Sequence, residues 1–253
     1  MSVRNLKGSS LFALLIFSFL MLSVFSQGKK PNSSRSGIGS IHGTRFVIPS
    51  EYQFFPVEYE GDEIWGRPPK RHIPGPDIPI RAFSILLQYP DFSPVNRENR
   101  RSWSGRKGSF TRENEWIDVQ VEPVKELGSD VPAWFKRFIA NRMDAEISWR
   151  PKHDWYFERQ FELVYGLVKE KKVGPDYSKI SVSNVEVFYD KERSGTYISC
   201  GAGAGGMKFC EQEFIIPELG VIASVHYAKN DLENWKIIQD EVTRIVLSFR
   251  VKQ

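Results

Sequence analysis

Hydrophobic and polar positions change period several times along this chain, and each change marks an element. Between Leu11 and Phe25 the residues are almost wholly apolar, preceded by Arg4 and Lys7 and closed by Val24-Phe25-Ser26 before Gln27. That order predicts a secretory signal peptide over 1–26. The run falls short of the roughly 20 residues that span a bilayer, which favours cleavage over an uncleaved signal anchor. Residues 27–43, rich in Gly, Ser, Lys and Pro, predict a flexible leader, with ordered structure from Thr44.

From Arg45 to Trp65, β-branched and aromatic residues alternate with turn residues and predict two short strands. A stronger strand is predicted at Arg81–Tyr89. Trp116–Val121 alternates apolar and polar residues, the pattern of an edge or half-buried strand. Asp130 then stands as an N-cap with Pro132 in the first helical turn, and Trp134, Phe138 and Ile139 follow at core-facing spacing. From Trp155 to Val168 the alternation predicts one long strand with Trp155, Phe157, Phe161 and Leu163 on one face. Lys169–Lys179 reads as a linker.

The C-terminal pattern is the most regular. Strands are predicted at Ile180–Tyr189, Gly195–Cys200, Met207–Ile216 and Val221–Tyr227. A helix then runs from Asp231 to Phe249, with Asn230 and Glu233 as a capping pair. Trp235, Ile238, Val242, Ile245, Val246 and Phe249 share one face of it. Strands followed by a terminal helix predict an α+β fold with two subdomains, 44–170 and 178–253. Each is an antiparallel sheet with a packed helix, and the second ends in a long amphipathic helix.

Charge removes one class of partner. The formal charge of +4 falls to +2 once Arg4 and Lys7 leave with the signal, so nucleic acid is not an expected partner. Cys200 and Cys210, the only cysteines, lie close together in the exported part, where a disulfide is expected. Its closure of so short a loop is worth on the order of 3 kcal/mol. Two cysteines do not complete a zinc site, and the four histidines, His42, His72, His153 and His226, have no metal-binding spacing. No metal and no cofactor are expected.

Gly201-Ala202-Gly203-Ala204-Gly205-Gly206 contains G-x-G-x-x-G, yet the run is flanked by cysteines and followed by a strand-like segment. A dinucleotide site needs a helix there, so a disulfide-closed hairpin loop is the better reading. His153-Asp154 has acid–base residue types, but neighbours on a strand point to opposite faces. No G-x-S-x-G elbow occurs. No catalytic residue is expected, which leaves a protein-binding role, with an enzyme of unfamiliar residues as an open alternative.

Residues 94–114 form a basic stretch with little periodicity. Arg97, Arg100, Arg101, Arg106 and Lys107, with Trp103 and Phe110 between them, have the composition of a contact surface for an acidic or anionic partner, or of a solvated insertion.

Several segments together resemble a known group. They are Ile85–Phe92, Tyr165-Gly166-Leu167, Thr196–Cys200, Cys210 with Phe214, and Leu232-x-x-Trp235-x-x-Ile238 running to Leu247-Ser248-Phe249. They resemble the periplasmic immunity proteins of type VI secretion phospholipase effectors of the Tle class, Tli-like and with a Tli-type C-terminal domain. The resemblance implies an exported, non-catalytic protein that binds and occludes a cognate lipase-like toxin. It carries over no binding residue. Peripheral or signal-anchored membrane association, and a generic envelope-associated binding module, remain alternatives at this stage.

Overall fold

β-Branched and aromatic residues at alternating positions build most of the molecule. The computed structural model describes residues 36–53, 55–63, 72–95, 116–125, 130–148, 158–173, 186–192, 195–202 and 208–252. The expected signal segment, His153-Asp154 and the basic stretch from Arg97 to Phe110 lie outside those residues.

Two strands, β1 (Gly37–Ile41) and β2 (Thr44–Ile48), pair as a hairpin. β1 thus falls inside the expected leader, and regular structure begins before Thr44. The reason is visible at Gly39: a Cβ there would stand 2.9 Å from the Ile78 carbonyl oxygen, so the glycine permits close backbone approach. Ser40 N–H donates to that same Ile78 oxygen at 2.9 Å.

The remaining strands form one antiparallel sheet. They are β3 (Glu58–Tyr59), β4 (Ile80–Gln88), β5 (Ser93–Pro94), β6 (Trp116–Pro123), β7 (Glu158–Val164), β8 (Leu167–Val173), β9 (Glu186–Tyr189), β10 (Thr196–Ala202), β11 (Lys208–Ile216) and β12 (Val221–Ala228). Their spatial order is β3-β4-β6-β12-β11-β10-β9-β8-β7, with β5 beside β4. β6 is therefore a central strand between β4 and β12, and not an edge. Its Val119 and Val121 are fully buried. Its polar alternation records one covered face, and the position of a strand within a sheet leaves no trace in its own periodicity.

The expected long strand from Trp155 to Val168 is instead a hairpin. Tyr165 (φ 52°) and Gly166 (φ 80°) make a two-residue turn between β7 and β8. Positive φ at both centres is the type I′ geometry that matches strand twist. Tyrosine at the first centre hides that signal. β8 consequently occupies the start of the segment expected to be a linker.

Helices cover both faces of the sheet. α1 (Val131–Ser148) starts as expected, with the Asp130 side chain accepting from Ala133 N–H at 2.9 Å. Phe135 and Ile139 are its buried anchors, packed with Val187, Tyr189, Tyr197 and Ile215, while Trp134 and Phe138 are partly buried. α2 (Trp235–Ser248) lies against the opposite face, where Ile238, Val242, Ile245 and Val246 meet Ile85, Val119, Ile198, Phe214 and Val225. The expected Asn230–Glu233 cap does not form: Lys229–Asn234 is a 3-10 segment, and the helix starts beyond it without a side-chain cap.

The β1–β2 hairpin closes the same core. Phe46 and Ile48 are buried in it, and Val47 N–H donates to Phe249 O beyond the end of α2 at 2.9 Å. The α+β class and the amphipathic C-terminal helix thus hold.

Candidate functional site

Cys200 and Cys210 face each other across β10 and β11, with Cα atoms 4.1 Å apart, and are joined by a disulfide. Both are buried. Antiparallel pairing brings the two residues into direct opposition, so the bond staples the β10–β11 ladder. A structural disulfide is the mark of an oxidising compartment, as expected of an exported protein. On either side of the glycine run the described residues are strand: β10 runs to Ala202 and β11 begins at Lys208.

A polar chain crosses the α2-side core. Tyr227 Oη donates to Gln212 Oε1 at 3.0 Å, Gln212 Nε2 donates to Gln239 Oε1 at 3.0 Å, and Thr196 Oγ1 donates to the same oxygen at 2.7 Å. Gln212 is fully buried. Burial pushes the Tyr227 hydroxyl far above its ordinary range, so it remains a donor at all working pH. Because every partner is satisfied, the chain fixes how α2 sits on β10, β11 and β12.

The other face carries a charged row that the sequence does not reveal. Glu211, His226 and Asp118 are successive cross-strand neighbours on β11, β12 and β6. His226 Nε2 lies 3.4 Å from Glu211 Oε1, and both side chains are about one-third exposed. The hydrogen bond to Glu211 raises the imidazole pKa against the opposing effect of burial, with Glu211, Asp118 and Glu213 adding their fields. Burial raises the Asp118 carboxyl as well, although His226 pulls it down. The row can hold a proton and can attract a cationic side chain. Only the pairing of strands far apart in sequence assembles it. The alternation Ile222, Ser224, His226, Ala228 on β12 was its sole local signal.

His72 is also paired. Its Nδ1 and its backbone N–H meet Asp62 Oδ1 at 3.0 and 2.7 Å, while Tyr59 N–H donates to Asp62 Oδ2 at 3.0 Å. This cluster holds the connection between β3 and β4. His42 Nε2 lies 3.1 Å from Gly220 O. Among the described residues, no three His, Cys, Asp or Glu side chains are placed to hold a metal ion, and no helix is long and apolar enough to cross a membrane.

The terminal hairpin presents apolar surface. Phe161 and Leu163 on β7 are 55% and 76% exposed. Sequence alternation identified them as a shared face but assigned no partner for it.

No family model and no curated protein match the chain. In fold it is similar to an immunity protein of the Stenotrophomonas maltophilia type IV secretion system, at 13% identity and a TM-score of 0.54, over 89% of this chain and 98% of that one. A second similar structure is the iron-regulated outer membrane lipoprotein FrpD of Neisseria meningitidis, at 14% identity and a TM-score of 0.44, over 86% of this chain and 93% of that one. The first likeness establishes an immunity-protein-like fold, and its secretion system is type IV where the sequence resemblance pointed to type VI.

Proposed function

We propose that this chain is an exported immunity protein, working without catalysis, that binds and occludes a cognate type VI secretion effector, a lipase-like toxin, in the periplasm. The observation that carries this reading is the fold shared with a secretion-system immunity protein over nearly the whole of that protein. Two further features support it. The disulfide suits an oxidising compartment, and the polar clusters within the described residues are tied into sheet and helix packing. The phospholipase target and the periplasmic site rest on the resemblance of Ile85–Phe92 and the C-terminal segments.

Occlusion needs a rigid surface with buried anchors and complementary charge. The basic stretch containing Arg97, Arg100, Arg101, Trp103, Arg106, Lys107 and Phe110 is proposed as one contact region. Replacing Arg100, Arg101 and Arg106 with glutamate is expected to weaken effector binding, and unchanged affinity by calorimetry removes the stretch from the interface. The reading as a whole is tested by co-expression. A phospholipase effector encoded beside this chain is directed to the periplasm, and growth is expected to be rescued only when the full-length chain is co-expressed. Persistent killing despite exported chain overturns it.

A further inference from the structure

We infer that the outer edge of β7 is a docking site for an extended strand of the protein partner, which adds to the sheet there. This rests on the immunity reading for the identity of the partner, but the site itself follows from hairpin geometry.

The two ends of the sheet differ. At one end β3 is two residues long and irregular in register, too short to template a partner. The other end is β7, paired along its full length with β8 and, among the described residues, followed by no further strand in the sheet. In a two-residue hairpin the residues flanking the turn form a hydrogen-bonded pair, and such pairs alternate with non-bonded ones. Val164 pairs with Leu167, so Val164, Glu162, Gln160 and Glu158 direct their backbone groups toward β8. The backbone groups of Leu163, Phe161 and Arg159 therefore point away from it.

Two of those three residues, Phe161 and Leu163, carry exposed apolar side chains. Phe161 and Leu163 thus offer N–H, C=O and apolar side chain together, which is the arrangement that strand addition uses. The edge is also held still. Val164 packs on the main core, and Trp235 Nε1 donates to Tyr165 O at 3.0 Å. Lys169 lies between Glu162 and Glu186, at 3.5 and 2.5 Å. A preorganised edge loses little conformational freedom when a strand pairs with it.

Charge selects the occupant. Antiparallel self-pairing centred on Phe161 would set Arg159 against Leu163 and Gln160 against Glu162, which matches no opposite charges. A partner strand with apolar residues facing Phe161 and Leu163 covers both side chains without that mismatch.

Proline separates docking from folding, because at an outward-pointing N–H it leaves the β7–β8 ladder intact and blocks only the added strand. The test uses the full mature chain with two probes, a candidate phospholipase effector and a synthetic Thr-Val repeat peptide. With the effector, Leu163→Pro and Leu163→Lys are expected to weaken binding at least tenfold, while Ile237→Lys on the outer face of α2 leaves it unchanged. If the wild-type chain binds and both Leu163 variants bind equally well, the edge is not the interface and the immunity reading stands. If the wild-type chain does not bind the effector, the immunity reading falls and the peptide decides the edge. Slowed amide exchange at Phe161 and Leu163 in excess peptide then supports strand addition. Unperturbed amides there, or a β7-mediated dimer in sedimentation, overturn it.

Discussion

The indole Nε1 of Trp235 donates to the backbone oxygen of Tyr165 at 3.0 Å, across a sequence separation of 70 residues. This bond fastens the β7–β8 turn to the first residue of α2.

Trp235→Phe keeps an aromatic ring against the core and removes the donor. Amide exchange in β7 and β8 is expected to quicken, with a loss of about 1 kcal/mol, the usual worth of one such bond. Unchanged exchange would show that the turn holds without it.

Tyr227→Phe leaves Gln212 Oε1 buried without its hydroxyl donor. The expected cost is about 1–3 kcal/mol, since an orphaned buried acceptor forfeits its solvation. Combining it with Gln212→Leu should cost less than the two changes added, because the second removes the orphan created by the first. Strict additivity in chemical denaturation contradicts a shared network.

Asp62 accepts from two backbone N–H groups and one imidazole. Burial opposes its ionisation, but the hydrogen bonds from Tyr59 and His72 prevail and hold its carboxyl below the ordinary value of 3.8. Its stabilising contribution is therefore present above about pH 3.8 and lost as pH falls through the lower folded value. Asp62→Asn supplies one acceptor oxygen in place of two and should cost about 1–3 kcal/mol at neutral pH. Equal thermal stability of the variant would remove the cluster from the fold's support.

His226 gives the opposite sign. Its folded pKa lies above the ordinary 6.5, so its contribution is complete below about pH 6.5 and is lost as pH rises through the higher value. Facing it are Glu211, Asp118 and Glu213. The raised Asp118 carboxyl produces a separate decline that starts near its own ordinary value of 3.8, well below that window. His226→Gln is expected to flatten the profile of melting temperature against pH above about 6.5. A variant with the same downward slope as wild type assigns that slope to another group.

Local patterns showed the parts that depend on local chemistry. Asp130 was legible as a cap because its side chain acts within one turn, and Ile238, Val242, Ile245 and Val246 because one helix face is enough to define them. Cys200 and Cys210 were legible as a pair because they lie only ten positions apart. What escaped depended on neighbours remote in sequence. β6 was legible as an edge or half-buried strand but not as a central one, because its partners β4 and β12 are far away, and Glu211–His226–Asp118 exists only through that pairing. Phe135 was missed among three other aromatic or branched residues of α1, since spacing alone does not fix how a helix rotates about its axis.

The central claim is that this chain neutralises a secreted effector by binding it. The most direct measurement mixes the purified mature chain with a purified candidate phospholipase effector and follows phospholipid hydrolysis while the complex is weighed by light scattering. The account predicts a stoichiometric complex and loss of hydrolysis in proportion to added chain. Full hydrolysis in the presence of excess folded, disulfide-bonded chain, with no complex formed, would contradict it.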